Sequence, residues 1–156
     1  MDNIIWAAGF LDGEGCISLK RIIRKGRIYH QPYISCSQVI KGRKALEILK
    51  KLFSGSITKH PMGGNRVDAI EWRVVSQEAL NCAKILLPYF ILKKGQAELL
   101  IKFYSLVLKR EEQYRLTDED YKKRDELFAQ LKKLNVRGKL RLKRLNEMTS
   151  KEDATV

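Results

Sequence analysis

The chain has 156 residues, with 31 Lys and Arg against 18 Asp and Glu, a formal charge of +13. This is the length of one domain with apolar residues enough for a core, and the positive excess points to a polyanionic partner, either nucleic acid or an anionic membrane surface. The composition argues against a spanning helix, because the longest apolar run, residues 85–92, contains Pro88 and falls far short of the roughly 20 residues required, and the odd, widely spaced Cys16, Cys36 and Cys82 argue against a disulfide framework or a zinc site.

Residues 4–11 form an apolar helix candidate, with Asn3 as its cap and the glycines of "DGEG" ending it, so that its last turn delivers two acids. No basic segment precedes it and acids follow it, so it reads as part of the fold and not as a leader. Residues 16–24 alternate as a strand, Ile17, Leu19 and Ile23 to one side, before a turn at "RKGR". Residues 29–39 return as its hairpin partner, with Ile34 and Cys36 inward and Pro32 marking a bend or an edge.

Residues 42–53 carry apolar side chains at helical spacing. A second hairpin follows, from Ser56–His60 to residues 66–76 across "PMGGN", with Trp72 and Val74 inward. Residues 77–87, 95–108 and 117–134 are helical by pattern, the last opened by the acidic "TDED". These elements make residues 1–134 one domain; residues 135–156 form a basic tail, one more loosely attached helix or a mobile segment.

Between positions 16 and 46 there is no Asp or Glu, while Lys20, Arg21, Arg24, Lys25, Arg27, Lys41, Arg43 and Lys44 are all cationic. The first hairpin is therefore an electropositive ribbon, of a kind that enters a DNA major groove, where Lys and Arg read guanine, Gln reads adenine and Tyr and Ser add hydrogen bonds. The alternative is a solvated face of an antiparallel sheet, although such faces ordinarily mix both signs of charge. The glycines at 9, 13 and 15 permit either unusual backbone or the close approach of another chain. Gly9 and Gly13, four apart, share one helical face with Ile5, a spacing that lets two helices pack closely; the plainer reading is a helix ended by glycine whose acids face water.

The segment "WAAGFLDGEG" resembles the defining motif of the LAGLIDADG homing endonucleases. Ala7, Ala8 and Gly9 fall on its leading Leu-Ala-Gly, Phe10 and Leu11 on its apolar pair, Asp12 and Glu14 on its two acids and Gly15 on its last glycine. "CISLKR", "ISCSQVIKGRKALEILKKLFSGSI" and "WRVVS" follow in the family's order and spacing, and no second copy of the motif occurs. The resemblance implies an α+β, αββαββα fold with an antiparallel sheet forming a DNA-binding saddle, additional C-terminal helices, and the single-motif, homodimeric branch of the family.

What the resemblance implies for chemistry is specific. Two motif helices pack across a two-fold axis through Ile5, Ala8, Gly9, Asp12 and Gly13, with Asp12 structural at the helix end. Glu14 and the Gly13 carbonyl hold Mg²⁺, with Mn²⁺ as the other candidate ion, since hydrolysing a phosphodiester calls for hard oxygen ligands on a divalent cation. Gln38 orders solvent, Lys93 supplies a central positive charge with Lys94 as second choice, and Arg43 lies near another basic position. Ser18, Lys20, Ile22, Arg24, Tyr29, Gln31, Tyr33 and Ser35, with Ser56, Thr58, His60, Glu71 and Arg73, face the groove; packing or an ion pair is the plainer role for Ile22 and Glu71. His30 and His60 have no partner ligands for a metal.

The function implied is a site-specific endonuclease that binds a long pseudo-palindromic double-stranded DNA as a homodimer, without a membrane, and cuts each strand with a divalent metal. The retained Glu14 favours it over two rivals, an RNA maturase or non-cleaving DNA-binding protein of the same fold, and a basic ribosomal RNA-binding protein. Unpaired cysteines suit a reducing interior, the cytoplasm of an archaeon or bacterium or an organelle matrix, and not secretion.

Overall fold

The computed structural model describes residues 3–24, 26–61, 68–108 and 117–136. Its elements run α1 (Asn3–Glu14), β1 (Gly15–Arg24), β2 (Arg27–Val39), α2 (Arg43–Phe53), β3 (Ser56–His60), β4 (Ala69–Val75), α3 (Ser76–Leu86), α4 (Lys94–Leu108) and α5 (Asp118–Leu134). This is the order of helix, hairpin, helix, hairpin and helices that the pattern predicts. The four strands form one antiparallel sheet in the order β1-β2-β4-β3.

Register assigns each strand residue to a face. Ile17, Ile34 and Val74 align across three strands, as do Cys36, Trp72 and Ile57, and five of these six are buried in the core, Ile57 packing against it. The helices meet that face: Ala7, Ala8 and Leu11 of α1, Leu46, Leu49 and Phe53 of α2, Ala79 and Leu86 of α3, Leu100 and Phe103 of α4, and Leu127 and Leu131 of α5 join the same core. Trp72 is fully buried, its indole N–H donating to the Ser54 carbonyl at 2.9 Å, so the ring fills volume without stranding a polar atom.

Differences from expectation have local causes. Helix α1 continues to Glu14 and does not end at Leu11; the break falls at Gly15, where a Cβ would lie 2.6 Å from the Leu11 carbonyl oxygen. Ile23 shares the face of Ile17 and Leu19 but is 71% exposed, because the hairpin tip reaches past the helical layer. Pro32 lies one residue beyond the last β4 pairing, where β2 is locally an edge. Of the "PMGGN" turn all but Pro61, and the tail beyond residue 136, lie outside the described residues.

Helix α5 is fastened to the sheet by polar as well as apolar contacts. It opens on a capping box in which the Thr117 amide donates to Asp120 at 2.9 Å, and just past its end the Asn135 amide group donates to the Ile17 carbonyl of β1 at 2.8 Å. Between them His30 of β2 is sunk against Phe128 and Phe103, ring centroids at 4.9 and 6.1 Å. The Asp125 carboxylate stands 3.3 Å from Nε2, off the line of a hydrogen bond. Burial lowers the imidazole pKa, Asp125 opposes that, and the charges of Arg21 and Arg124 reinforce it.

Because the folded pKa lies below the unfolded one, the unfolded chain takes up the proton first, and this contribution to stability is present above about pH 6.5 and lost as pH falls. The urea midpoint is expected to drop between pH 7.5 and 5.5, and His30→Gln to flatten that slope. An unchanged slope in the variant would place the acid sensitivity elsewhere.

Candidate functional site

The site is built where α1 ends and α4 begins. Neither helix supplies its own favourable terminal charge: α1 has no basic residue in its last turn, and α4 no acidic one in its first. Each receives it from the other. The Asp12 carboxylate accepts the amides of Ile91, Leu92 and Lys93, at 2.7, 3.2 and 2.9 Å, placing negative charge at the N-terminus of α4. In return the Lys93 ammonium donates to the Asp12 carbonyl at the C-terminus of α1. Both residues are buried, Asp12 7% and Lys93 8% exposed.

This exchange leaves Glu14 as the uncompensated acid of the last turn. It is exposed, at the seam where α1 becomes β1, and Gln38 at the end of β2 donates to it at 3.4 Å. Gly42 makes room for that glutamine, since a Cβ there would come 2.9 Å from the Gln38 Cβ. Beneath lies Cys36, whose thiol pKa is pushed up to about 11, first by burial and then by the Glu14 charge, with Lys93 opposing. One thiol thus senses both charges, which puts Glu14, Gln38 and Lys93 in one neighbourhood.

A hard divalent cation suits this corner. The Glu14 carboxylate and the last carbonyls of α1, Gly13 among them, are oxygen donors at the negative end of a helix. Among the described residues no three His, Cys, Asp or Glu side chains cluster as ligands.

Away from the corner, the sheet face opposite the helices carries the residues expected to face a groove. Pairings Ser18–Tyr33, Lys20–Gln31, Ile22–Tyr29, Ser35–Arg73, Ser56–Arg73 and Thr58–Glu71 put them all on one side, with His60 opposite Ala69. Ser18 and Ser35 are nevertheless buried, at 2% and 6%, forming the floor of the face under larger neighbours. Glu71 binds Arg73 at 2.9 Å and His60 at 3.3 Å, and the Arg73 guanidinium lies 5.0 Å over the Tyr33 ring. Gln31 donates to the Ser76 hydroxyl at 3.3 Å. The Arg24 side chain lies outside the described residues.

Other candidates make contacts within the chain. Arg43 pairs with Glu47 at 2.8 Å, one turn along α2. Ala8 and Asp12, expected on a helix-helix interface, are turned into their own protomer; Ile5, Gly9 and Gly13 are the exposed members of that set. Sequence reading missed Lys132 of α5, which joins Lys20, Arg21, Arg73, Tyr33 and Leu19 around a cavity of about 310 Å³ at the edge of β1. Only the docking of α5 on β1 brings it there.

With this geometry in view, comparisons with known proteins agree. The family described as LAGLIDADG endonuclease matches residues 7–106. The homing endonuclease I-CvuI, solved in complex with its target in the presence of calcium, is 22% identical with a TM-score of 0.73, over 95% of this chain and 92% of that one. I-TnaI, a homing endonuclease, is 24% identical with a TM-score of 0.65, over 93% and 96%, and the archaeal intron-encoded I-Vdi141I, solved with DNA, is 19% identical with a TM-score of 0.69, over 92% and 94%. No curated protein matches the chain in sequence.

The three thiols should differ in reactivity. Burial raises the pKa of Cys36 and of Cys82, whereas Cys16 is half-exposed on the groove side. A disulfide reagent at pH 8 is expected to titrate one thiol in the native protein and three after denaturation; a fast second thiol would contradict the burial of Cys36.

Proposed function

The chain belongs to the LAGLIDADG endonuclease family, and from that premise we propose that it is a homodimeric, divalent-metal-dependent endonuclease acting on a long pseudo-palindromic DNA duplex. The observation that carries this reading is the position of Glu14, an exposed carboxylate at the end of a helix and at the start of the strand that leads into a cation-rich sheet face opposite the described helices.

The dimer is supported by two glycines that the described residues of the protomer leave open. A Cβ at Gly9 or Gly13 would meet nothing within 4 Å, and a glycine inside a helix costs about 1 kcal/mol relative to alanine. Ile5, on the same face, is 54% exposed. A second copy of α1 approaching along this stripe uses both features, and the same approach sets two Glu14 carboxylates side by side.

In the reaction, the sheet face binds first. Its cations, Lys20 and Arg73 among them, offset phosphate charge, while Gln31, Tyr33, Thr58 and His60 offer hydrogen bonds to base edges. The order already present among His60, Glu71, Arg73 and Tyr33 lowers the entropy lost on binding. Glu14 and the Gly13 carbonyl would hold Mg²⁺ or Mn²⁺, which when bound polarises the phosphate and its attacking water. Gln38 orders solvent beside Glu14, and Lys93 contributes positive charge where negative charge develops on the phosphate.

A duplex selected by binding from a randomised library in Ca²⁺ gives the substrate. It is expected to be cut in both strands when Mg²⁺ or Mn²⁺ replaces Ca²⁺, and Glu14→Gln to slow cutting at least about 100-fold while still binding. A bound duplex left intact in both ions would remove the nuclease and leave a binding or splicing role. Gly13→Leu is expected to sediment as a folded monomer without activity; a stable dimer would end the α1 interface. Affinity should fall steeply with salt, log K against log salt having a slope of about −0.9 per phosphate contacted.

A further inference from the structure

The three amides on one carboxylate ask what Asp12 does beyond closing a helix end. Residues 91–93 are a bend without regular structure between the short turn Leu87–Tyr89 and α4. Two of them carry large apolar side chains almost fully in solvent, Ile91 at 85% and Leu92 at 74%. Burial of those two side chains within the protomer therefore does little to fix this backbone. What fixes it is Asp12, with Oδ2 shared by Ile91 and Leu92 and Oδ1 taken by Lys93.

We propose that Asp12 is the positioning residue for Lys93, holding the bend so that the ammonium stays at the end of α1 beside Glu14. The inference rests on the reading of the protein as a nuclease in which the Lys93 charge acts on the phosphate. Its physical content is a rigid link. The carboxylate grips the backbone of Lys93, and the lysine side chain grips the backbone of Asp12. Two reciprocal contacts between the same two residues restrain one helix end against the other. The Lys93 charge and the Glu14 carboxylate then move as one body, and the spacing between them is set by Asp12 and not by the substrate.

A carboxamide cannot reproduce this grip, because only one of its two terminal atoms accepts hydrogen bonds. Asp12→Asn keeps size and shape while releasing either the Lys93 amide or the Ile91 and Leu92 pair. If Asp12 acts through Lys93, removing it matters only while Lys93 is present. This predicts non-additivity, which a general loss of stability does not produce.

The experiment is a double-mutant cycle on the full-length protein with the library-selected duplex and Mg²⁺. Single-turnover cleavage is expected to fall about 10- to 100-fold in Asp12→Asn and comparably in Lys93→Ala, with the double variant within about twofold of Lys93→Ala. Affinity for the duplex in Ca²⁺ should stay within about threefold of the parent. Losses that multiply, or Asp12→Asn cleaving at the parent rate, would overturn the proposal. Amide hydrogen exchange gives an independent reading: protection at residues 91–93 should drop at least about tenfold in Asp12→Asn while residues 4–11 keep theirs, and unchanged protection at 91–93 also overturns it. Asp12→Ser, which retains one acceptor oxygen, replaces the asparagine variant should that one not fold. If the parent protein binds the duplex and does not cut it, the nuclease reading fails, and hydrogen exchange alone then decides whether Asp12 fixes the bend.

Discussion

Two helix ends meet in this protein, each carrying the charge that suits the other. An acid near a helix C-terminus is unfavourable, and so is a lysine at an N-terminus. Asp12 and Lys93 exchange places across the contact, so both charges face the dipole end that stabilises them. The pairing spans 81 positions of sequence and joins the first helix to the fourth. It therefore constrains the stacking of α1, the bend and α4, and through α1 the point at which the first strand enters the sheet. Asp12 is engaged by the fold, while Glu14, two residues on, is exposed.

The glycines divide by the reason each is glycine. Gly15 and Gly55 are demanded by the protomer: an added Cβ would lie 2.6 Å from the Leu11 oxygen in one case and 2.5 Å from the Arg73 oxygen in the other, where φ is also +88°. At Gly9 and Gly13 an added Cβ would meet none of the described residues within 4 Å. Helix propensity alone would favour alanine at both. The proposed dimer supplies a reason for both, with the exposed Ile5 on the same stripe.

The sheet face opposite the helices is cationic without being uniformly so. Glu71 lies among its bases, and its two oxygens engage His60 and Arg73, while Arg73 also rests on Tyr33. Such a row gives up some positive charge and gains fixed geometry. Phosphate attraction is distributed over the whole basic surface, whereas hydrogen-bond readout needs side chains held at set positions. Helix α5 extends the basic surface around the β1 edge by adding Lys132, and the buried His30 ties that same helix to the sheet.

What could be read from residues alone was whatever depends on near neighbours in the chain. Alternation over 17–24 and 33–39, helical spacing in residues 42–53, the acidic opening of α5 and the glycine-flanked acids of the motif all express local periodicity or local sterics, so element order, the two hairpins and the cationic face were legible. Partnerships of high sequence separation were not. No pattern in "LDGEG" or "ILKKGQ" announces that Asp12 collects the amides of 91–93, that Ala8 turns inward, that Ser18 and Ser35 lie beneath their neighbours, or that Lys132 reaches β1. These depend on which surfaces the core brings together, and packing of the helices on one face of the sheet is a property of the whole chain. The sequence, through its resemblance to a known motif, already pointed to Asp12 as structural and Glu14 as the acid for a metal; tertiary structure decided what holds Asp12, because the amides of residues 91–93 reach it only once α1 and α4 are packed together.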